Sequence, residues 1–515
     1  MGVETFGPFR EVMDPYWEQA RLLCGGTLAM RKAGGEYLPR FESETEKNYQ
    51  RRLTVASLTN FYVKARNQMV GEMFRDDVQY KDGSLPKEII EDLDQRGTDL
   101  TGMAEKLAEE LLTKAVCGIL VDHPESDGQG TLKDDIDRGL RHYWTFIKPE
   151  NVVDLVITYE GGKETVLHLR WFEDHTVPDP NDEFAFKTER QRFVLDRQVT
   201  EDENGKKFIE KPRFRKYVSD TTDRRLGTVK QDDTDRNAGN IYSVSGSYKP
   251  EGDWRDLSGY DEIPFVPFYS SRDGVWRGKP LLADIAEKNI QHWRQSSNYG
   301  NALEIGAFPV LVRYGLNKTT PISPLEDDLP KSDDGENIVG PHIIMDLPSQ
   351  LEGTKAEYLE PTGRAYEALE RNLDRLISEA EIMALDLLVK QFQKTATEAN
   401  YDRLQSLAPL QRIAIEIEKG LTRALEITAK ARKRNEKPGF AVINKDFGVS
   451  ASDVIRVQAL RDARALGDIT TETYLSELQR IGALSAYLNV KQEAANVQAN
   501  DDNLSGGSPF VAGGG

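Results

Sequence analysis

The feature that most constrains the fold of this chain is an interruption between two helices. Residues 280–304 carry Leu282, Ile285, Ala286, Ile290 and Trp293 at helical spacing. Pro280 suits a first helical turn, where its missing N–H costs nothing. Ser296, Ser297, Asn298 and Gly300 weaken the pattern, and a stretch rich in proline, glycine and aspartate starts at residue 305. A stronger helix resumes near Pro361. Its stripe is Tyr366, Leu369, Leu373, Leu376, Ile377, Ala380 and Met383, with arginine and glutamate around it. Between the two helices, Phe308–Val312 and Ile343–Leu347 read as short strands about a long loop. A chain that leaves a helix, builds a small module and returns to a helix carries that module at the end of a helix pair.

The flanking sequence gives an α+β chain. The first 75 or so residues look helical. Ser43 and Glu46 have the spacing of a capping box, and the helix it opens is expected to run through Tyr49, Leu53, Ala56, Val63 and Val70 towards Phe74. A second helix fits Thr101–Ala115, and Cys117–Val121 suggests a buried strand. Residues 140–270 are β-rich. HYWTFI, VVDLVITY, TVLHLRWF and QRFVLD are strand-like runs, separated by turn clusters such as EGGK, PDPND and EDENGK. Ser219 to Asp256 is polar and reads as a long surface loop.

After the second flanking helix, LDLLVKQFQKTATEAN breaks the pattern. A long helix then fits Glu398–Arg434. Pro409 lies inside it and is expected to kink it. KARKR at its end complements the helix dipole. FAVINKDF reads as a strand, followed by helices at Ala451–Ala465 and Thr471–Ile481 and a disordered tail.

Chemistry is sparse. The six histidines are His123, His142, His168, His175, His292 and His342, and no pair has i,i+4 metal spacing. His168 and His175 share a strand-rich stretch, where partly exposed strand positions explain them better than a metal does. No phosphate loop or nucleophile elbow occurs; EGGKET lacks the required earlier glycine and reads as a hairpin turn. NDEFAFKTE sits in a turn-rich patch without a partner carboxylate motif. Neither an enzyme nor a metal or other cofactor is expected. Cys24 and Cys117 are the only cysteines, so no disulfide framework is expected. The start MGVETFGPFR lacks the regions of a signal peptide, and no apolar run is long enough to span a membrane. A net charge of −19 disfavours a simple grip on nucleic acid.

The order of these segments resembles the portal proteins of tailed double-stranded DNA bacteriophages, the head–tail connectors of the portal vertex. GKPLLADIAEKNIQHWRQSSNYG looks like a first stem helix, AFPVLVRYG through EGTKAEYLEP lies where portals insert the clip, and RAYEALERNLDRLISEAEIMALDLL looks like a second stem helix. VKQFQKTATEAN is similar to a tunnel loop, and VQALRDARALGDITTETYLSEL to the crown. YLPRFESETEKNYQRRL with FYVKARNQMVGEMFR matches the N-terminal region of one portal subfamily.

The resemblance implies a ring-forming portal fold: wing 1–278, with its β-rich part at 140–270; stem helix 279–304; clip 305–358; stem helix 359–384; tunnel loop 385–397; long kinked helix 398–436; crown 437–498; and disordered tail 499–515. It implies a dodecamer in the virion, assembled in the host cytoplasm, with no membrane association. Double-stranded DNA would pass through its channel. Its other partners would be the terminase large subunit, the head–tail adaptor, the major capsid protein and the scaffold. An acidic channel would let DNA slide. Within the tunnel loop, Lys390 and Lys394, with Gln391 and Gln393 beside them, are the first candidates to touch phosphates. Lys288, Arg294, Arg371 and Arg375 on the stem helices come second, since such charges often pair with acidic neighbours instead. Six acidic residues in 317–342 suit a clip that exchanges partners. Two other classes stay open: another virion assembly or adaptor protein, and a metal-dependent DNA hydrolase.

Overall fold

The computed structural model describes residues 2–42, 44–122, 141–179, 182–201, 207–219, 248–257, 259–306, 310–314, 344–347, 355–359, 363–388, 409–432, 436–445, 460–464, 466, 468–480, 490 and 493. Helices α1 (Phe9–Cys24), α2 (Gly26–Ala33), α3 (Glu46–Val55) and α4 (Phe61–Met73) come first. Strand β1 (Gln79–Gly83), α5 (Lys87–Ile90) and α6 (Leu100–Lys114) lead to β2 (Val116–Asp122) and β3 (Tyr143–Ile147). Next are β4 (Val152–Glu160), β5 (Lys163–Asp179), β6 (Asp182–Asp196), β7 (Val199–Glu201), β8 (Lys207–Ile209), β9 (Arg213–Ser219) and β10 (Tyr248–Asp256). Strands β11 (Phe265–Tyr269), β12 (Arg272–Gly274) and β13 (Arg277–Gly278) precede helix α7 (Ala283–Gly306). Strands β14 (Val310–Tyr314), β15 (Ile344–Leu347) and β16 (Lys355–Leu359) lie between α7 and α8 (Arg364–Leu388). Helix α9 (Pro409–Ala431), strand β17 (Pro438–Val442) and helix α10 (Thr471–Arg480) follow.

Two units are formed. One combines Met1–Val12, Asn67–Lys279 and Asp386–Gly515; the other combines Met13–Arg66 and Pro280–Leu385. The first helices from Met13 onward therefore cluster with α7 and α8, whereas sequence texture groups them with the β-rich part.

The first unit is built on β2, which is buried along almost its whole length between β11 and β3. Helix α6 packs beside it. The Asp99 carboxylate caps α6 by accepting from Gly102 N at 2.8 Å, and Ala115 ends it in the left-handed region. Helix α9 packs on α6, β2 and β11. There the Phe268 ring occupies the space that a Cβ on Gly420 would need. The Trp144 indole N–H donates to Thr428 Oγ1 at 2.9 Å, which ties β3 to α9.

An antiparallel sheet in the order β10-β9-β6-β5-β4 completes this unit. Gly161 and Gly162 take positive φ in the β4–β5 hairpin, as the EGGK turn requires. Two expectations are corrected here. NDEFAFKTE belongs mostly to β6, whose pairing with β5 holds Asp182 onward in the sheet. Residues 248–256 form β10 and not loop: this polar edge strand is held by main-chain pairing to β9, with a register shift between Glu251 and Arg255. Residues 220–247 of that expected loop lie outside the described residues.

In the second unit, α3 is capped by Thr45, whose hydroxyl accepts from Asn48 N at 3.3 Å. The expected capping box at Ser43 gives way to this start; Glu46 is already the first helical residue, and Ser43 lies outside the described residues. The single helix expected up to Phe74 is two. Its break at 56–60 is SLTN-rich: Asn60 Oδ1 accepts from Val63 N at 3.0 Å and Thr27 Oγ1 from Leu58 N at 3.1 Å. Helix α7 opens at Ala283, and Ser296 to Gly300 do not end it. Ser297 is buried and Asn298 Oδ1 accepts from Arg52, so tertiary packing overrides local propensity. Strand β14 pairs in parallel with β15; Phe308 and Pro309 of the expected strand lie outside the described residues. Strand β16 pairs antiparallel with β14 and was not expected from the sequence.

Helix α8 continues through Leu388, past the expected start of the tunnel loop; residues 389–400 lie outside the described residues. The described part of α9 begins at Pro409, and the residues before it that the expected kink involves, 398–408, lie outside the described residues, as do much of the first crown helix and the tail 499–515.

Candidate functional site

Helices α7 and α8 and the residues packed on them carry the stem candidates. Asn289 on α7 is fully buried and fixes the start of α4: its Oδ1 accepts from Tyr62 N at 3.0 Å and its Nδ2 donates to Thr59 O at 2.9 Å. His292 packs edge-on against Phe61 at 5.6 Å. Burial pushes its imidazole pKa down, against the opposing pull of the Asp374 charge, so it favours the neutral form. Trp293 is fully buried beside it.

The four stem cations are all engaged within the chain. Lys288 Nζ lies 2.5 Å from Glu379 Oε2, joining α7 to α8. Arg375 Nε lies 3.5 Å from the other oxygen of Glu379. Hydrogen bonding from Lys288 holds the Glu379 carboxyl below the usual range. Arg294 Nε donates to Tyr37 O at 3.0 Å. Arg371 Nε donates to Glu367 O at 3.1 Å, with its guanidinium 4.0 Å from the Glu367 carboxylate. Asn372 and Gln295 hydrogen-bond across the same pair of helices. A cation held this way is a helix-pairing group first, and a phosphate would have to compete with its carboxylate.

The apolar stripe of α8 is only partly covered. Leu376 and Ala380 are buried, but Tyr366, Leu369, Leu373, Ile377 and Met383 are half-buried, and Ile382 and Leu385 are 61% and 57% exposed. Lys390, Gln391, Gln393 and Lys394 lie outside the described residues. Among the described residues no group of three or more His, Cys, Asp or Glu is arranged to hold a metal. His168 Nδ1 lies 3.0 Å from Asp196 Oδ1 and His175 Nε2 3.5 Å from Glu173, so each has a carboxylate beside it. No helix of the described residues is long and apolar enough to cross a membrane.

Sequence reasoning missed an arginine-bearing face on the five-stranded sheet. Its signal was the period-two alternation in HLR, RQRFVLD and RFRKY, which places Arg170, Arg192, Arg213 and Arg215 on one side.

Residues 280–430, under a third of the chain, match a family described as a domain of unknown function, DUF4055. No curated protein matches. Solved structures similar to this chain come from gene transfer agent particles. A chain of the "Virion of native gene transfer agent (GTA) particle" is 12% identical, with 88% of this chain and 98% of that one covered and a TM-score of 0.38. A chain of the "Neck of empty GTA particle computed with C6 symmetry" is 11% identical, with 89% and 99% covered and a TM-score of 0.37. A chain of the "Neck of native GTA particle computed with C12 symmetry" is 12% identical, with 81% and 88% covered and a TM-score of 0.36. Likenesses this distant bring none of those particles' functions to this chain.

Proposed function

We propose that this chain is a portal-type subunit of a tailed-phage virion, which closes with copies of itself into a ring at one capsid vertex and forms the channel for double-stranded DNA. The observation that carries the reading is the helix pair. Helices of 24 and 25 residues flank a three-stranded module along the chain, in the segment order of portals. The half-exposed stripe of α8 is the kind of surface that a neighbouring copy covers in a ring. The stem cations are absorbed by carboxylates and carbonyls, so the phosphate contacts fall to Lys390 and Lys394. The net charge of −19 per copy keeps DNA from sticking to the wall. The chain does no chemistry of its own; the module between α7 and α8 docks terminase during packaging and the head–tail adaptor afterwards.

The test is electron microscopy of the purified chain with native mass alongside, repeated with capsid and scaffold proteins co-expressed. Closed rings with a central hole are expected, near 700 kDa for about twelve copies of 58.1 kDa. Monomers under both conditions, or a closed oligomer of two to four copies, would overturn the reading. With rings in hand, removing 322–338 is expected to impair docking of terminase or adaptor without opening the ring.

A further inference from the structure

The five-stranded sheet has two unlike faces. On one, Trp171, Phe193 and Phe214 stack across three strands, with centroid spacings of 5.2 and 6.0 Å. The other carries the arginines. Asp196 accepts there from His168 at 3.0 Å and from Arg213 at 2.7 Å. The Arg213 guanidinium lies 4.3 Å over the Trp254 ring, and that of Arg192 lies 4.5 Å over Tyr248.

The first residues of the chain lie across this second face. Gly7 N donates to Val153 O at 2.8 Å. Arg170 Nη1 donates to Gly2 O at 2.9 Å and Arg192 Nη1 to Val3 O at 3.1 Å. Both grips are on main-chain carbonyls of a turn that Thr5 N closes by donating to Gly2 O at 3.2 Å, so they read backbone shape and not a particular side chain. Arg192 is 2% exposed and Arg170 9%, yet the Nε of each has no acceptor among the described residues. Buried guanidinium donors normally find acceptors; Arg170 already donates to Asp154 Oδ2 at 2.7 Å, whereas Arg192 grips one carbonyl, and a carboxylate would fit its fork better. Beside Gly2 and Val3 a cleft of about 340 Å³ continues along the face, past His168 and Asp196 to Tyr217 and Trp254. The occupant now in place thus covers part of the groove and leaves donors unused.

We propose that this face is a peptide-binding groove, held in this chain by its own residues 2–7 and open to an acidic, turn-forming peptide of a partner protein that replaces them. The replacing peptide follows the same carbonyl contacts, places a carboxylate on Arg192, and lays an apolar side chain towards Trp254. Arg170, Arg190, Arg192, Arg213 and Arg215 on this face against Asp154, Asp174, Asp196 and Asp256 leave a small positive balance. The inference does not rest on ring formation.

The probe is a fluorescein-labelled peptide, GEETFGP, which is residues 2–8 with Val3→Glu. Fluorescence anisotropy is read against the full chain and three variants. Saturable binding to the full chain is expected, at least tenfold tighter to Phe6→Ala, which loosens the resident segment. A loss of tenfold or more is expected for Arg192→Gln. Trp254→Ala, a half-exposed position that leaves the buried arginines in place, is expected to lose at least threefold, which guards against misreading an unfolded Arg192→Gln. The proposal falls if neither the full chain nor Phe6→Ala binds the peptide saturably. It also falls if both groove variants bind like the full chain, or if a DNA duplex displaces the peptide at equal charge concentration.

Discussion

The bond from Trp144 to Thr428 is expected to be worth far more to break from one side than from both. Trp144 is 1% exposed and Thr428 fully buried. The indole N–H donates to the Thr428 hydroxyl oxygen, and that hydroxyl donates onward to Ala424 O at 2.8 Å. Thr428→Val keeps the shape of the side chain and removes the acceptor. The indole N–H is then stranded in the core, at a cost of about 2 kcal/mol, within the usual range for a buried unsatisfied donor. Trp144→Phe removes the donor, while Thr428 keeps its bond to Ala424. Its cost is the void left by the smaller ring, about 2–4 kcal/mol. In the double variant no donor is stranded, so Thr428→Val adds little on the Trp144→Phe background. The two costs should therefore fall short of additivity by about 2 kcal/mol. Urea unfolding followed by far-UV circular dichroism, with the slope checked for constancy across all four proteins, reads this coupling. Additivity within about 0.5 kcal/mol would refute the reasoning, because it would mean that the indole finds another acceptor or that the site admits water.

Three further outcomes follow from buried groups. Glu44 and Arg52 form an ion pair at 2.7 Å with side chains only 7% and 1% exposed, so Glu44→Gln should cost about 3 kcal/mol by stranding the guanidinium. Hydrogen bonding from Arg52 holds the Glu44 carboxyl below the usual range, so the pair stabilises fully above about pH 5 and loses its contribution as pH falls through the folded value. The gap between the two proteins in urea midpoint should narrow in acid, and a gap that widens would reverse the assignment. Cys24 is exposed, whereas Cys117 is buried and burial pushes its thiol pKa up, so a thiol reagent should modify one cysteine in the native chain and the second only on unfolding. Gly420→Ala should destabilise by about 1–3 kcal/mol despite the better helix propensity of alanine, since its methyl meets the Phe268 ring; a stabilised variant in thermal unfolding would show that the ring moves aside.

What could be read from the sequence was set by periodicity. Helix α6, strand β2 and the stripe of α8 carry strong patterns, because each buries one face or a whole segment, and all three were legible. The break between α3 and α4 was not, since the apolar spacing of Ala56 and Val63 continues across residues whose side chains divert the backbone. Strand β10 was hidden for the opposite reason: it is a polar edge strand whose stability lies in main-chain pairing, which leaves no apolar alternation to read. Strand β16 lay just beyond a loop whose composition dominated the window.

The candidate site shows where such reading stops. The helical period places Lys288, Arg371 and Arg375 on exposed surface, and the sequence alone leaves each free to meet either a phosphate or a carboxylate. Choosing between these needs the neighbour in space. Lys288 and Arg375 converge on the same residue, Glu379, from two helices, and that convergence cannot be read along one strand of sequence. A pair of cations on one carboxylate is already partly neutralised in place, so a phosphate would have to compete with Glu379 for either of them. On the proposed portal reading, contact with DNA would then fall to residues without such partners. In the proposed ring, Lys390 and Lys394 would be the groups left to meet phosphates, against a net charge of −19 per copy that disfavours a lasting grip.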